Sequence, residues 1–434
     1  MLRWKSRYQY FRASGYYDLA RSSAKVFLYR IVASIITLLL TLKVANLLGV
    51  EYSGHYFFVV SFLMLLASLS SLGLNNAILK RVSILSESSN SVSGVVYRSV
   101  ILISISSVFL ISMLQIYTRS GTFGLPIHDL IKAYDYVVCT ILFPLTIIFL
   151  FSNYFHAYQD HFKMVFSTTL GYQTFLLIFL SITDTNSIKE VFYFLQASVF
   201  FVFLVILYWY SSRHKIRIRI DQTDSFRGLM TLAFPMLITA VLSQINSFSS
   251  GFLLSIYGTD SDLSIFGVAL RLSIVMGFIF LAVIKVSTPK IARYHESGDM
   301  RLFETTVLQS NRILFFTSIP VFFAVLLLGD YLLGLFGDEF VAGYGVLIII
   351  TFGQTIASIF GISIFILQMT GHQNLLKNDS AIVVFVSVII GWFLVSVFGL
   401  VGSAIAVALS LTISNVLATY RVYQVLGINP VKIF

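Results

Sequence analysis

Residues 264–280 read SIFGVALRLSIVMGFIF. The run is apolar and unbroken by proline, which is the pattern of a helix that crosses a bilayer. One residue departs from it. Arg271 stands near the middle, where a cation costs about 3 kcal/mol even on permissive insertion scales. The rest of the chain decides whether this is a membrane helix, and what the charge is for.

The chain has 434 residues, of which 57% are hydrophobic and 11% charged, with a mean hydropathy of +0.89. A soluble domain carries about 25% charged residues. A surface this poor in charge must face lipid. The single cysteine, Cys139, excludes an internal disulfide and any multi-cysteine metal site. A net charge of +10 would suggest nucleic acid as partner for a soluble protein. Here the positive-inside rule accounts for it, and no nucleic acid is expected. The opening MLRWKSRYQYFRASGYYDLARSSAK is polar, aromatic and basic. It has no apolar core before a small-residue cleavage site, so it reads as an amphipathic cytoplasmic lead-in.

About 20 apolar residues span a bilayer as a helix. Twelve such runs are expected, near 25–48, 54–75, 95–117, 132–156, 163–182, 190–211, 228–256, 262–287, 311–329, 341–369, 380–398 and 400–423. They are continuous rather than alternating, which argues against a barrel. The expected fold is all-α, a polytopic membrane protein. With the N-terminus inside, 23 of the 29 Lys and Arg fall on the cytoplasmic side and three outside. That asymmetry predicts cytoplasmic termini. The longest polar interruption divides the chain into residues 1–211, a basic cytoplasmic linker at 212–227, and residues 228–434. Within the linker IRIRI alternates. It reads either as solvated charge or as a strip lying along anionic headgroups.

The halves look repeated. LLGVEYSGHYFFVVSFLMLL from Leu47 parallels SIYGTDSDLSIFGVALRLSI from Ser255, and YFHAYQDHFKMVFST from Tyr154 parallels ILQMTGHQNLLKNDS from Ile366. Both offsets are near 210 residues, as expected of parallel repeats about an axis along the membrane normal.

Several stretches resemble the polysaccharide export family, the O-antigen flippases within the multidrug/oligosaccharidyl-lipid/polysaccharide flippase superfamily. LLGVEYSGHYFFVVSFLMLLASLSSLGLNNAILKR resembles that family's first outer loop, second span and basic turn. LLGLFGDEFVAGYGVLIIITFG resembles its outer loop before the tenth span, and ILQMTGHQNLLKNDS with GLVGSAIAVALSLTISNVL its last three spans. The resemblance implies two six-helix bundles in a V, as in multidrug and toxin extrusion (MATE) transporters, with a central cavity open alternately to each side. It implies a lipid-linked oligosaccharide on undecaprenyl diphosphate as cargo, the bacterial inner membrane as location, and a polysaccharide polymerase and chain-length regulator as partners. The family's Q-I-D on the seventh span is Gln244-Ile245-Asn246 here. The position stays polar and loses its charge.

No phosphate-binding G-x-x-x-x-G-K-[ST] loop and no H-E-x-x-H is present, so neither ATP hydrolysis nor a catalytic metal is expected, and no cofactor. Transport is the reading, rather than enzymatic chemistry. Arg271 lies nine residues after Asp262, roughly 13 Å into its helix. Lys285 lies fourteen residues further, about 40° around, on nearly the same face. Charged groups avoid lipid, so that face is expected to point into the bundle. Arg30 and Lys43 lie within the first span. Lys43 and Lys285 read as snorkelling anchors as well as candidate binders. A guanidinium grips phosphate bidentately, which makes Arg271, Arg30, Lys43 and Lys285 candidate ligands for a diphosphate. Gln244 and Asn246, with the serines around them, either line a wet groove for sugar hydroxyls or bond to neighbouring helices. Tyr154, Phe155 and Tyr158 read as candidate stacking platforms for sugar or as interface aromatics. Asp135 is the candidate for ion coupling, or an interfacial residue near Lys132. A drug/cation antiporter of the MATE type is the alternative. It should prefer acidic groups at membrane depth, where this chain has cations. A polymerase or ligase should bring a large outer loop, and the loops here are short.

Overall fold

In the computed structural model, residues 16–85, 89–120, 127–183, 185, 187–213 and 226–430 are described. The N-terminal lead-in up to residue 15 and most of the basic linker, residues 214–225, lie outside them. The described residues are helical apart from the short turns between helices, in a multi-pass membrane protein. The elements are α1 (Tyr16–Ser70), α2 (Leu74–Leu85), α3 (Ser89–Ser120), α4 (Ile127–Ala133), α5 (Asp135–Ala157), α6 (His161–Val165), α7 (Gly171–Ile182) and α8 (Ile188–Arg213). After the linker come α9 (Phe226–Tyr257), α10 (Asp260–Glu296), α11 (Met300–Gly334), α12 (Tyr344–Phe360), α13 (Ser363–Met369) and α14 (Gln373–Leu426). Among the described residues nine helical segments are long and apolar enough to cross a membrane.

Two of these segments are too long for one crossing. Lys25–Ser70 has 46 residues and Asn374–Leu426 has 53, about 70 and 80 Å if straight, against a hydrocarbon core of about 30 Å. Each is broken by a glycine. Gly49 has φ 66° and ψ −175°, and Gly399 has φ 51° and ψ −123°, conformations that a side chain penalises. At Gly399 the helix folds back on itself. A Cβ on Gly402 would strike the Leu394 carbonyl, and Arg421 bonds Asp379 across the hairpin. Pro144, Pro235 and Pro320 stand inside α5, α9 and α11, where each removes one backbone hydrogen bond.

The surface is apolar where lipid would lie. Leu327 is 79% exposed, Ile182 78% and Phe385 68%. The main core runs through both parts of the chain, joining Val44, Phe57, Leu142 and Phe192 to Phe266, Val268 and Leu347. Tyr154 and Phe155 lie in it, both at 0% exposure. The sugar-stacking role considered for them is therefore excluded, because packing closes both ring faces.

The second arm of α1, residues 50–70, is the strip on which the later helices dock. α10 packs along it and α9 beside it. Phe58 and Phe62 pack with Phe248 of α9, at centroid separations of 5.3 and 6.0 Å.

Candidate functional site

Arg271 lies on α10, half-buried, facing the second arm of α1. Its guanidinium carbon sits 4.0 Å above the ring centroid of Phe57. Its Nη1 donates to the Gly267 carbonyl at 3.0 Å. The buried phenols of Tyr56 and Tyr172 lie within electrostatic reach. Among the described residues no carboxylate pairs with it. The polar surroundings continue away from it. The Gln173 amide nitrogen meets the Tyr172 hydroxyl at 3.5 Å, and Thr37 donates to the Gln173 oxygen at 2.6 Å. On the other side, Gln354 of α12 donates to Ser273 at 2.9 Å.

The helices around Arg271 meet in two seams, at the ends of the bundle that carry Gly49 and Gly73. At the Gly49 end the Gly54 amide donates to the Ser264 hydroxyl. A Cβ on Gly54 would collide with the Ser264 backbone. One turn deeper, a Cβ on Gly267 would collide with the Phe57 ring. His55 Nε2 lies 2.9 Å from Asp260 Oδ1, with the aspartate 60% exposed. Exposed pairs contribute about 0–1 kcal/mol, so this ion pair adds little to a seam whose backbones already pack closely. At the other end Gly73, with φ 76°, packs on the Ala233 carbonyl of α9.

Asn246 and Gln244 part company. Asn246 accepts from Ser410 at 2.7 Å and lines a cleft of about 480 Å³ with Thr239, Ser243, Gln368, Lys377 and Ser414. Gln244 stands two residues back, about 200° around the helix, and is not among that cleft's lining residues. Arg30 is exposed and Lys43 half-buried on the first arm of α1. No contact among the described residues joins either to Arg271. The Lys285 side chain lies outside the described ones. Leu28, Tyr29 and Val32, around Arg30, line an apolar groove of about 460 Å³ with Phe162, Phe166 and Ile178. Asp135 begins α5 and accepts from Thr118 at 3.3 Å. A carboxylate in the first turn is favoured by the helix dipole, which gives it a structural role whatever else it does. No cluster of His, Cys, Asp and Glu among the described residues is suited to a metal.

Tyr172, Gln173 and Gln354 were not among the residues singled out from the sequence. Their only signal was a lone amide inside an apolar run, as in GYQTFLLIFL and TFGQTIASIF.

The family model described as polysaccharide biosynthesis protein matches residues 19–295. A probable low-salt glycan biosynthesis flippase of Haloferax volcanii, Agl15, is 23% identical over 227 residues, 52% of this chain and 48% of that protein. A capsular polysaccharide biosynthesis protein of Staphylococcus aureus, CapF, is 24% identical over 241 residues, 54% of this chain and 60% of that one. The matched stretch thus spans roughly half the length of these curated relatives. Among solved structures, the lipid II flippase MurJ in an inward closed conformation superposes with a TM-score of 0.75 at 15% identity, over 92% of this chain and 87% of that one. An inward-facing MATE transporter superposes at 0.70 and 16%, over 91% and 94%. At such identities the likeness is one of fold.

Proposed function

The chain belongs to the family of polysaccharide biosynthesis proteins, and on that premise we propose that it is a flippase for a lipid-linked oligosaccharide. The cargo is an oligosaccharide on undecaprenyl diphosphate, moved outward across the bacterial inner membrane for O-antigen or another surface polysaccharide. The helices broken at Gly49 and Gly399 each supply two crossings, and these with the other seven long segments and α10 (Asp260–Glu296) make twelve, in two six-helix bundles with cytoplasmic termini. The Gly49 end is then the outer one. A polymerase and a chain-length regulator are the expected protein partners.

The observation that carries this reading is Arg271, a half-buried guanidinium deep in α10 with no carboxylate partner among the described residues. A diphosphate supplies the missing anion, and a guanidinium binds it through paired hydrogen bonds. Sugar hydroxyls need polar partners when they leave water, and the cleft around Asn246 offers amide, hydroxyl and ammonium groups. The prenyl chain needs an apolar path, such as the groove beside Arg30. A cation antiporter would place negative charge where Arg271 stands.

The test is complementation of a deletion strain, scored by polysaccharide ladders at matched protein level. Arg271→Ala is expected to abolish export, and Arg271→Lys to restore part of it, since an ammonium keeps the charge and loses the fork. Full export by Arg271→Ala would overturn the reading.

A further inference from the structure

Arg271 raises a second question, which does not depend on the cargo. A guanidinium at that depth needs stabilising in the protein's resting state. The usual solution is a carboxylate, and among the described residues none is there. The partner across the seam is Phe57, 3% exposed, with its ring 4.0 Å from the guanidinium carbon. The ring comes from α1 and the cation from α10.

We propose that Phe57 is a positioning residue for Arg271, and that their ring–cation contact is the electrostatic joint that holds the Gly49-end seam shut. One glycine makes the joint possible. Gly267 lies one turn before Arg271, so its carbonyl falls where Nη1 can donate to it. Its missing side chain leaves the space that the Phe57 ring occupies. The guanidinium is thus fixed from two directions, through an edge by the carbonyl and over a face by the ring. A ring stabilises the charge through its quadrupole without neutralising it. A carboxylate at position 57 would also hold the arginine, but would cancel the charge. When the seam opens, α1 moves from α10 and the ring leaves the cation. The contact therefore belongs to the closed state alone, and it biases the equilibrium only to the extent that it is lost on opening.

The test uses isosteric change. Phenylalanines bearing one, two and three ring fluorines are placed at position 57 of the full chain. Fluorine drains the ring's negative face with little change in size. Cys139→Ser removes the native thiol, and spin labels are placed at Lys132→Cys and Glu339→Cys, both exposed and on opposite sides of the seam. Pulsed dipolar distances in lipid nanodiscs then report closed and open populations. The closed-to-open ratio is expected to fall stepwise with fluorine number, by roughly tenfold or more over the series, since desolvated ring–cation contacts are the stronger ones. In an Arg271→Met background the series should be flat. A flat series with Arg271 present overturns the proposal, and so does the same slope without it. Should Arg271→Met fail to fold, Arg271→Lys serves instead: retained dependence supports the joint, and its loss with charge preserved overturns it. The readout is seam opening rather than export. Full export by Arg271→Ala would sink the cargo reading and leave this result standing.

Discussion

Gly54 gives its amide hydrogen to the Ser264 hydroxyl across 210 residues of sequence. Phe57 and Gly267, which also touch, have the same separation, and the sequence repeats at an offset near 210. Two repeats related by a twofold axis bring equivalent positions together only along that axis. The seam of α1 and α10 has the spacing such an axis requires. The backbones also approach closely there. Gly54→Ala should therefore wedge this seam. Its Cβ meets the backbone of Ser264 and Asp260 as well as the Ser264 hydroxyl, and overpacking costs about 1–3 kcal/mol. Export should fall about tenfold. Gly277→Ala, with no atom near the added carbon, should export at the normal level. Equal export by both variants would refute the packing argument.

The Asp379–Arg421 pair should be asymmetric. The Asp379 side chain is 6% exposed and that of Arg421 28%. Three hydrogen bonds of 2.9–3.2 Å join them. Removing the arginine leaves a little-exposed carboxylate without its partner, which destabilises it. Removing the carboxylate leaves a guanidinium that still reaches solvent and Gln424. Thermal melts in detergent should thus rank Arg421→Met below Asp379→Ala. The reverse order would mean that the aspartate site is wetter than it looks.

Asp135 is expected to be dispensable. A diphosphate carries roughly two negative charges, and an inside-negative potential favours outward movement by about 2.3 kcal/mol per charge per 100 mV. Asp135→Asn keeps the hydrogen bond from Thr118 and should retain most export. Lost export with normal protein in the membrane would point to a coupled ion at that carboxylate.

Topology can be checked directly. Reporter fusions after Gly258 and Asp338 should read outside, and after Arg217 and Lys377 inside. Two reversals would sink the twelve-crossing arrangement.

The long apolar runs were legible because lipid imposes a length and a composition. The break at Gly49 could be anticipated, since runs ending at 48 and resuming at 54 leave a glycine between them. The environment of Arg271 could not. Phe57 looks like any apolar residue of HYFFVVSF, and only tertiary packing lays its ring on a cation. Gln244 and Asn246 looked like one cluster, although the helical period separates them. Tyr154 and Phe155 looked like platforms at an interface. Composition cannot distinguish an aromatic facing a cavity from one sealed in the core, as these are.

The hairpin bend at Gly399 bears on biogenesis. Between Asp379 and Arg421 the chain has no charged residue, and its tip, VFGLVG, turns within a single glycine. A hairpin of this kind has no polar loop to carry across the bilayer. Both arms can leave the insertion machinery together, sliding in tip first, with the two charges remaining behind at the surface they started from. Those charges meet only once the arms lie side by side. The ion pair therefore forms only after both arms of this hairpin have inserted, and it locks the two crossings to each other.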